Sequence, residues 1–108
     1  MSRRRATTDV YTAIADPTRR GLLDQLGRGE QTVRGLARPF AMTLSAVSQH
    51  LKLLRAVGLV TVRRAGRERV YRLNARPLRE VADWVGRYER FWRQKLDALR
   101  DHLDRNPT

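Results

Sequence analysis

The chain has 108 residues and a mass of 12.5 kDa, room for one ordinary domain and one core but not for two. It contains no cysteine, which excludes disulfides, thiolate metal sites and a cysteine nucleophile, and which fits a reducing cytoplasm. Twenty-three Lys and Arg stand against 11 Asp and Glu, a net charge of +12 that points to a polyanion as partner.

Lys52 and Lys95 are the only lysines, so the bases are nearly all arginine. Residues 1–74 hold 15 Lys/Arg and five Asp/Glu, whereas residues 75–108 hold eight and six. The basic excess therefore belongs to the first two-thirds, which predicts an anion-binding surface there and a different task for the rest. The longest apolar run, residues 56–60, is too short to cross a membrane. Arg3, Arg4 and Arg5 lack the apolar stretch of a secretory signal. A cytoplasmic location is expected.

Residues 1–7 are basic and unpatterned and are expected to form a disordered arm, with Arg3–Arg5 free to enter a minor groove. A first helix over residues 8–15, capped by Thr7 or Thr8, would turn Val10 and Ile14 inward. Asp16 suits the cap of a second helix and Pro17 its first position. Leu22, Leu23 and Leu26 share one face of that helix, and Gly27 and Gly29 close it. Arg19 and Arg20 oppose the helix dipole, so a phosphate or an ion pair is expected to hold them.

Thr32 caps a third helix that Pro39 stops, and Thr43 caps a fourth over residues 44–57, with Val47, Leu51 and Leu54 inward and Gly58 as terminator. Two short helices joined by a few residues have the proportions of a helix-turn-helix. Two strands follow, residues 59–64 and 68–73, around Gly66: a β-hairpin. After Pro77 one long helix is expected to about Asp104, with Leu78, Val85, Trp92 and Leu99 repeating every seven residues. At ~1.5 Å per residue it would be about 40 Å long, against roughly 26 Å for a domain this small. Part of its apolar stripe then lacks a partner in one chain, which predicts a homodimer. The fold class expected is mostly α with a small β-hairpin: a winged helix-turn-helix over residues 8–74, dimerising through a long C-terminal helix over residues 75–105.

Ala15-Asp16-Pro17-Thr18-Arg19-Arg20, Leu36-Ala37, Leu44-Ser45-Ala46-Val47-Ser48-Gln49-His50-Leu51-Lys52-Leu53-Leu54, Ala56-Val57-Gly58-Leu59-Val60 and Arg67-Glu68-Arg69-Val70-Tyr71-Arg72-Leu73 together resemble the ArsR family of bacterial transcriptional regulators. The long last helix resembles one branch of that family. The resemblance implies a dimeric DNA-binding repressor, with the helix from Thr43 as recognition helix and the hairpin as wing. Metal-sensing members carry cysteines near the first helix of the helix-turn-helix, or Asp/His sets on the last helix. Residues 31–40 contain no Cys, His, Asp or Glu, which departs from the first pattern.

A recognition helix shows its N-terminal side chains to base edges in the major groove. Thr43, Ser45, Ser48 and Gln49 are the candidates, with Gln49 able to pair with adenine through two hydrogen bonds. His50, Lys52 and Arg55 are placed for phosphates. In the wing, Arg63, Arg64, Arg67, Arg69 and Arg72 surround Gly66, and Arg64, Arg67 and Arg69 are expected to contact DNA through a narrow minor groove. Val10, Ile14, Leu78, Val81, Val85, Tyr88, Trp92, Leu96 and Leu99 are the expected dimer interface.

No nucleophile–base pair, Gly-rich phosphate loop or cofactor motif is present, so no enzyme and no cofactor are expected. His102 has Ala98, Leu99, Arg105 and Asn106 three and four residues away, which makes no metal cluster on one chain. The function expected is a sequence-specific DNA-binding regulator acting on a pseudo-palindromic operator in duplex DNA. The alternatives are a metal-responsive repressor using the last helix, and a protein-interaction module with only non-specific DNA affinity.

Overall fold

The computed structural model describes residues 9–106. The element order is α1 (Val10–Ile14), α2 (Pro17–Gly27), β1 (Gln31–Thr32), α3 (Val33–Ala37), α4 (Leu44–Ala56), β2 (Val60–Ala65), β3 (Glu68–Leu73), α5 (Leu78–Gly86) and α6 (Glu89–Arg105). The chain divides into two compact units, one through Leu78 and one from Arg79 onward. The basic arm, with Arg3–Arg5 and the cap candidates Thr7 and Thr8, lies outside the described residues.

In the first unit, side-chain oxygens cap all four helices. Asp9, not a threonine, starts α1, its carboxylate accepting from the Thr12 amide at 2.8 Å. A carboxylate caps as well as a hydroxyl and adds a favourable charge at the positive end of the helix. Asp16 accepts from the Arg19 amide at 2.9 Å and Pro17 occupies the first turn of α2. Thr32 and Thr43 cap α3 and α4 through the Gly35 and Ala46 amides, at 3.2 and 3.0 Å.

The caps set where each helix starts, and the apolar stripes then set how they pack. Leu22, Leu36, Val47, Leu51, Leu54 and Leu59 are completely buried. They bring α2, α3 and α4 onto one another, while α2 and α4 also meet the strands. Burying a leucine contributes on the order of 2 kcal/mol, so this cluster dominates the stability of the unit. Val10 is also buried, 5% exposed, as α1 docks on α2. It is part of the chain's own core. Ile14 is half-buried.

The sheet has three strands, in the order β1-β3-β2, where the sequence predicts a two-stranded hairpin. β1 is two residues long, too short to carry a periodicity, and it pairs Gln31 with Tyr71 and Thr32 with Val70. Thr32 thus both caps α3 and extends the sheet. In the β2–β3 ladder, Val60 lies opposite Leu73, Val62 opposite Tyr71, Arg64 opposite Arg69 and Ala65 opposite Glu68. The register therefore puts Tyr71 and Leu73 on the face of Val60 and Val62, and Val60 and Tyr71 are buried there. The two-residue turn has positive φ at Gly66, +66°, and not at Arg67, the signature of a type II′ hairpin. Gly58, at φ +82°, ends α4 in the left-handed conformation that glycine allows.

The last segment is two helices, not one. α5 ends at Gly86, and α6 starts at Glu89. Between them the Arg87 and Tyr88 amides bond three residues back, to the Trp84 and Val85 carbonyls, at 3.2 and 2.9 Å. Tyr88 keeps right-handed backbone angles (φ −102°, ψ 0°) and makes no side-chain cap. Glycine is a poor helix former, and the tightened turn falls directly after it. No side chain of α5 or α6 is buried.

Candidate nucleic-acid interface

α4 is amphipathic. Val47, Leu51 and Leu54 fill the core, so the opposite face carries Leu44, Ser45, Ser48, Gln49, Lys52 and Arg55, all exposed. Thr43, just before it, is exposed as well. Its oxygen accepts the Ala46 amide, and its O–H proton remains free to donate.

The wing rises beside this face. A cleft of about 610 Å³ runs between α4 and the hairpin, lined by Ser48, Lys52, Arg55, Arg67 and Arg69 over a floor of Val33, Leu51 and Tyr71. A second hollow of about 270 Å³ is bounded by Arg55, Val62, Arg63, Arg64 and Arg69. Neither is lined by a carboxylate. The cleft thus brings together Ser48, Lys52, Arg55, Arg67 and Arg69 of the residues that the sequence singles out, while Thr43, Ser45, Gln49, His50 and Arg64 do not line it.

Four of the predicted basic residues have partners within the chain. His50 is half-buried, and its Nδ1 lies 3.4 Å from the Arg19 guanidinium. Arg19 donates to the Ala13 and Thr12 carbonyls at 2.8 and 3.1 Å, and Arg20 to the Ile14 carbonyl at 2.8 Å. The two arginines satisfy the open carbonyl end of α1, where the helix dipole favours cations. Neither a phosphate nor a carboxylate is needed to explain them. Arg63 forms an ion pair with Glu30. Arg63 alternates with Val62 along β2, so it belongs to the face of the sheet opposite Tyr71.

Asp16 sits where α1 meets α2. The Arg19 amide hydrogen bond holds its carboxyl below the ordinary value of 3.8; burial opposes this, and the charges of Arg19 and His50 reinforce it. Asp9 is lowered in the same direction, first by the Thr12 amide.

Sequence reasoning missed Arg34 and Arg38. Both are exposed on α3 or at its end and, with Leu44, line a hollow of about 350 Å³. Arg34 also borders a hollow of about 270 Å³ shared with Ser48, Glu68 and Arg69. Their four-residue spacing on the first helix of a helix-turn-helix is the signal that would have found them.

In the second unit, Trp84, Val85, Tyr88, Phe91, Trp92, Leu96, Leu99 and Leu103 are all about half exposed or more. Trp84 meets Tyr88, and Phe91 meets Trp92, edge to face at 5.6 and 5.5 Å between ring centres. Leu78 and Val81 are half-buried. Glu89 pairs with Arg93 at 2.8 Å and Asp97 with Arg100 at 3.1 Å, as spacings of four and three on a helix allow. His102 contacts Asn106 at 3.4 Å. Among the described residues, no three His, Cys, Asp or Glu side chains gather as a metal site would require. No helix among them is long and apolar enough to cross a membrane.

A helix-turn-helix with its second helix exposed beside an arginine-bearing hairpin defines a winged helix-turn-helix transcriptional regulator, a DNA-binding class. Residues 14–63 match a family described as a helix-turn-helix domain. The HTH-type transcriptional regulator Rv2034 of Mycobacterium tuberculosis is 36% identical over 96% of this chain and 94% of its own. The crystal structure of the ArsR family transcriptional regulator RHA00566 superposes with a TM-score of 0.68 at 35% identity, over 77% of this chain and 91% of that one. The homodimeric winged helix-turn-helix DNA-binding domain of Mb0332 from Mycobacterium bovis, described as a possible ArsR-family regulator, gives a TM-score of 0.61 at 32% identity over 73% and 76%. The chain belongs to the ArsR family of transcriptional regulators.

Proposed function

We propose that this protein is a cytoplasmic homodimeric repressor that binds a pseudo-palindromic operator and blocks polymerase access. The observation that carries this is the basic cleft between α4 and the wing, where Ser48, Lys52 and Arg55 face Arg67 and Arg69 with no carboxylate among them. Ser45, Ser48 and Gln49 are exposed on the N-terminal half of α4, the part of a recognition helix that reads base edges. Lys52 and Arg55 lie further along and serve the phosphate backbone. Arg67, in the hairpin turn, is the wing residue best placed for a minor groove.

The exposed aromatic and leucine stripe of α5 and α6 supports dimerisation, since large apolar side chains at half exposure or more are costly to leave in water. The solved relative described as homodimeric supports it independently. Two copies would set two recognition helices one duplex turn apart, about 34 Å. Selection of bound fragments from random DNA tests all of this. The expected result is an inverted repeat with half-sites about 10 base pairs apart, bound by two chains. Equal affinity for scrambled duplex would leave only a protein-interaction module with non-specific DNA affinity.

A further inference from the structure

We propose that Arg55, Arg64 and Arg69 form a seat for a single phosphate group, filled by one backbone phosphate when duplex is bound and open to free inorganic phosphate otherwise. The DNA half of this inference rests on the function proposed above; the anion half does not.

The starting point is an unfavourable pair. Arg64 and Arg69 are direct partners in the β2–β3 ladder, and like charges placed directly opposite in a sheet destabilise it. Alternation along the strands puts both on the face that carries Val62 and Tyr71. Arg55 of α4 lines the same hollow, against Val62. Its position in the last turn of α4 is favoured by the helix dipole, so the cation is held there without an anion. Among the described residues, none pairs with the side chains of Arg55, Arg64 or Arg69.

Arg63 also borders the hollow, but its guanidinium is engaged by Glu30. Glu68 borders a neighbouring hollow with Arg34 and Arg69 and forms no ion pair with either. Guarding an edge strand asks for charge but not for two like charges opposed on the inner face. A tetrahedral anion accounts for the arrangement. Its oxygens accept from several planar guanidinium forks at once, and its charge turns a mutual repulsion into a common attraction. The pair also sits one step back from the turn, facing α4 rather than projecting from the hairpin tip. That places it beside the sugar–phosphate strand next to the recognition helix, leaving the minor groove to Arg67.

The test uses the full chain and the double variant Arg64→Gln/Arg69→Gln, both changes at exposed positions. Without DNA, melting is followed in sodium phosphate and in sodium chloride at matched ionic strength. The wild type should melt higher in phosphate. The double variant should melt at or above the wild-type temperature in chloride, the repulsion having gone, and should show no phosphate-specific rise. With duplex, the dependence of log affinity on log salt should lose about 0.9 in slope, the value for one phosphate. Two arginines on separate phosphates would lose about twice that. The affinity loss should be the same on operator and scrambled DNA.

Both results are required. A wild type with no phosphate-specific rise overturns the seat, and an unchanged or doubly reduced salt slope overturns its use by DNA. If the wild type shows no sequence preference, the function proposed above fails, but the melting experiment still decides the seat.

Discussion

Gln49 and Arg67 are both exposed, yet they should fail differently when removed. Gln49 lies on the N-terminal half of α4, where we propose that it reads bases, and a two-hydrogen-bond contact to adenine is worth about 1–3 kcal/mol of discrimination. Gln49→Ala should therefore lower affinity for the operator and leave scrambled duplex nearly unchanged. Arg67→Ala should weaken both alike, because the minor groove proposed for it shows a largely degenerate pattern of base edges. Gel shifts on the two duplexes separate the cases, and equal losses from both variants on both DNAs would end this division of labour. Asp16 gives a prediction in pH. Its folded pKa lies below the ordinary 3.8, so the stability it contributes is complete above that value and is lost as the pH falls through the lowered one. Asp16→Asn should flatten the acid limb of the stability profile below about pH 4, read by urea unfolding at stepped pH. Asp9 contributes with the same sign, so the limb should not vanish entirely.

At the scale of elements, the caps and stops were legible because each is a local rule. Asp16, Thr32 and Thr43 cap the helices expected of them, and Gly58 and Gly66 take the positive φ that helix end and hairpin turn require. Where local rules competed or ran short, the outcome differed. Asp9 displaced the threonines as the first cap. β1 escaped notice because two residues cannot show alternation, and it exists only through pairing with β3, about 40 residues further along the chain. The long helix was read from its heptad spacing, which survives the break since Gly86–Tyr88 keep nearly helical geometry. An added methyl at Gly86 would meet no atom within 4 Å. Gly86→Ala should thus strengthen the junction by about 0.5–1 kcal/mol, seen as greater helical circular dichroism and a higher melting temperature. No gain in either would mean that something other than glycine's propensity sets the break.

For the whole molecule, the two units differ in charge and in exposed surface. The first carries the basic cleft, and the second has balanced charge and a stripe of large apolar side chains. Trp92 is 60% exposed within one chain, an area that a second copy would cover. Trp92→Glu would place a charge in that contact and should yield monomers in sedimentation, with a steep loss of operator affinity as two half-sites are no longer bound together. An intact dimer would remove this face of α6 from the interface.

Cap residues and apolar spacing were sufficient by themselves for the order of the first four helices and the hairpin, because each is set by groups within about one turn or one strand of one another, and net charge pointed to a polyanion as partner. Which arginines are free to meet that partner was decided only by tertiary structure. Arg19 and Arg20 close the end of α1, Arg19 also holds His50, and Arg63 reaches Glu30 across 33 residues of chain. Arg55, Arg64 and Arg69 remain to line one hollow. A guanidinium's partners depend on what the fold brings within about 3 Å of it, and no pattern along the chain encodes that distance.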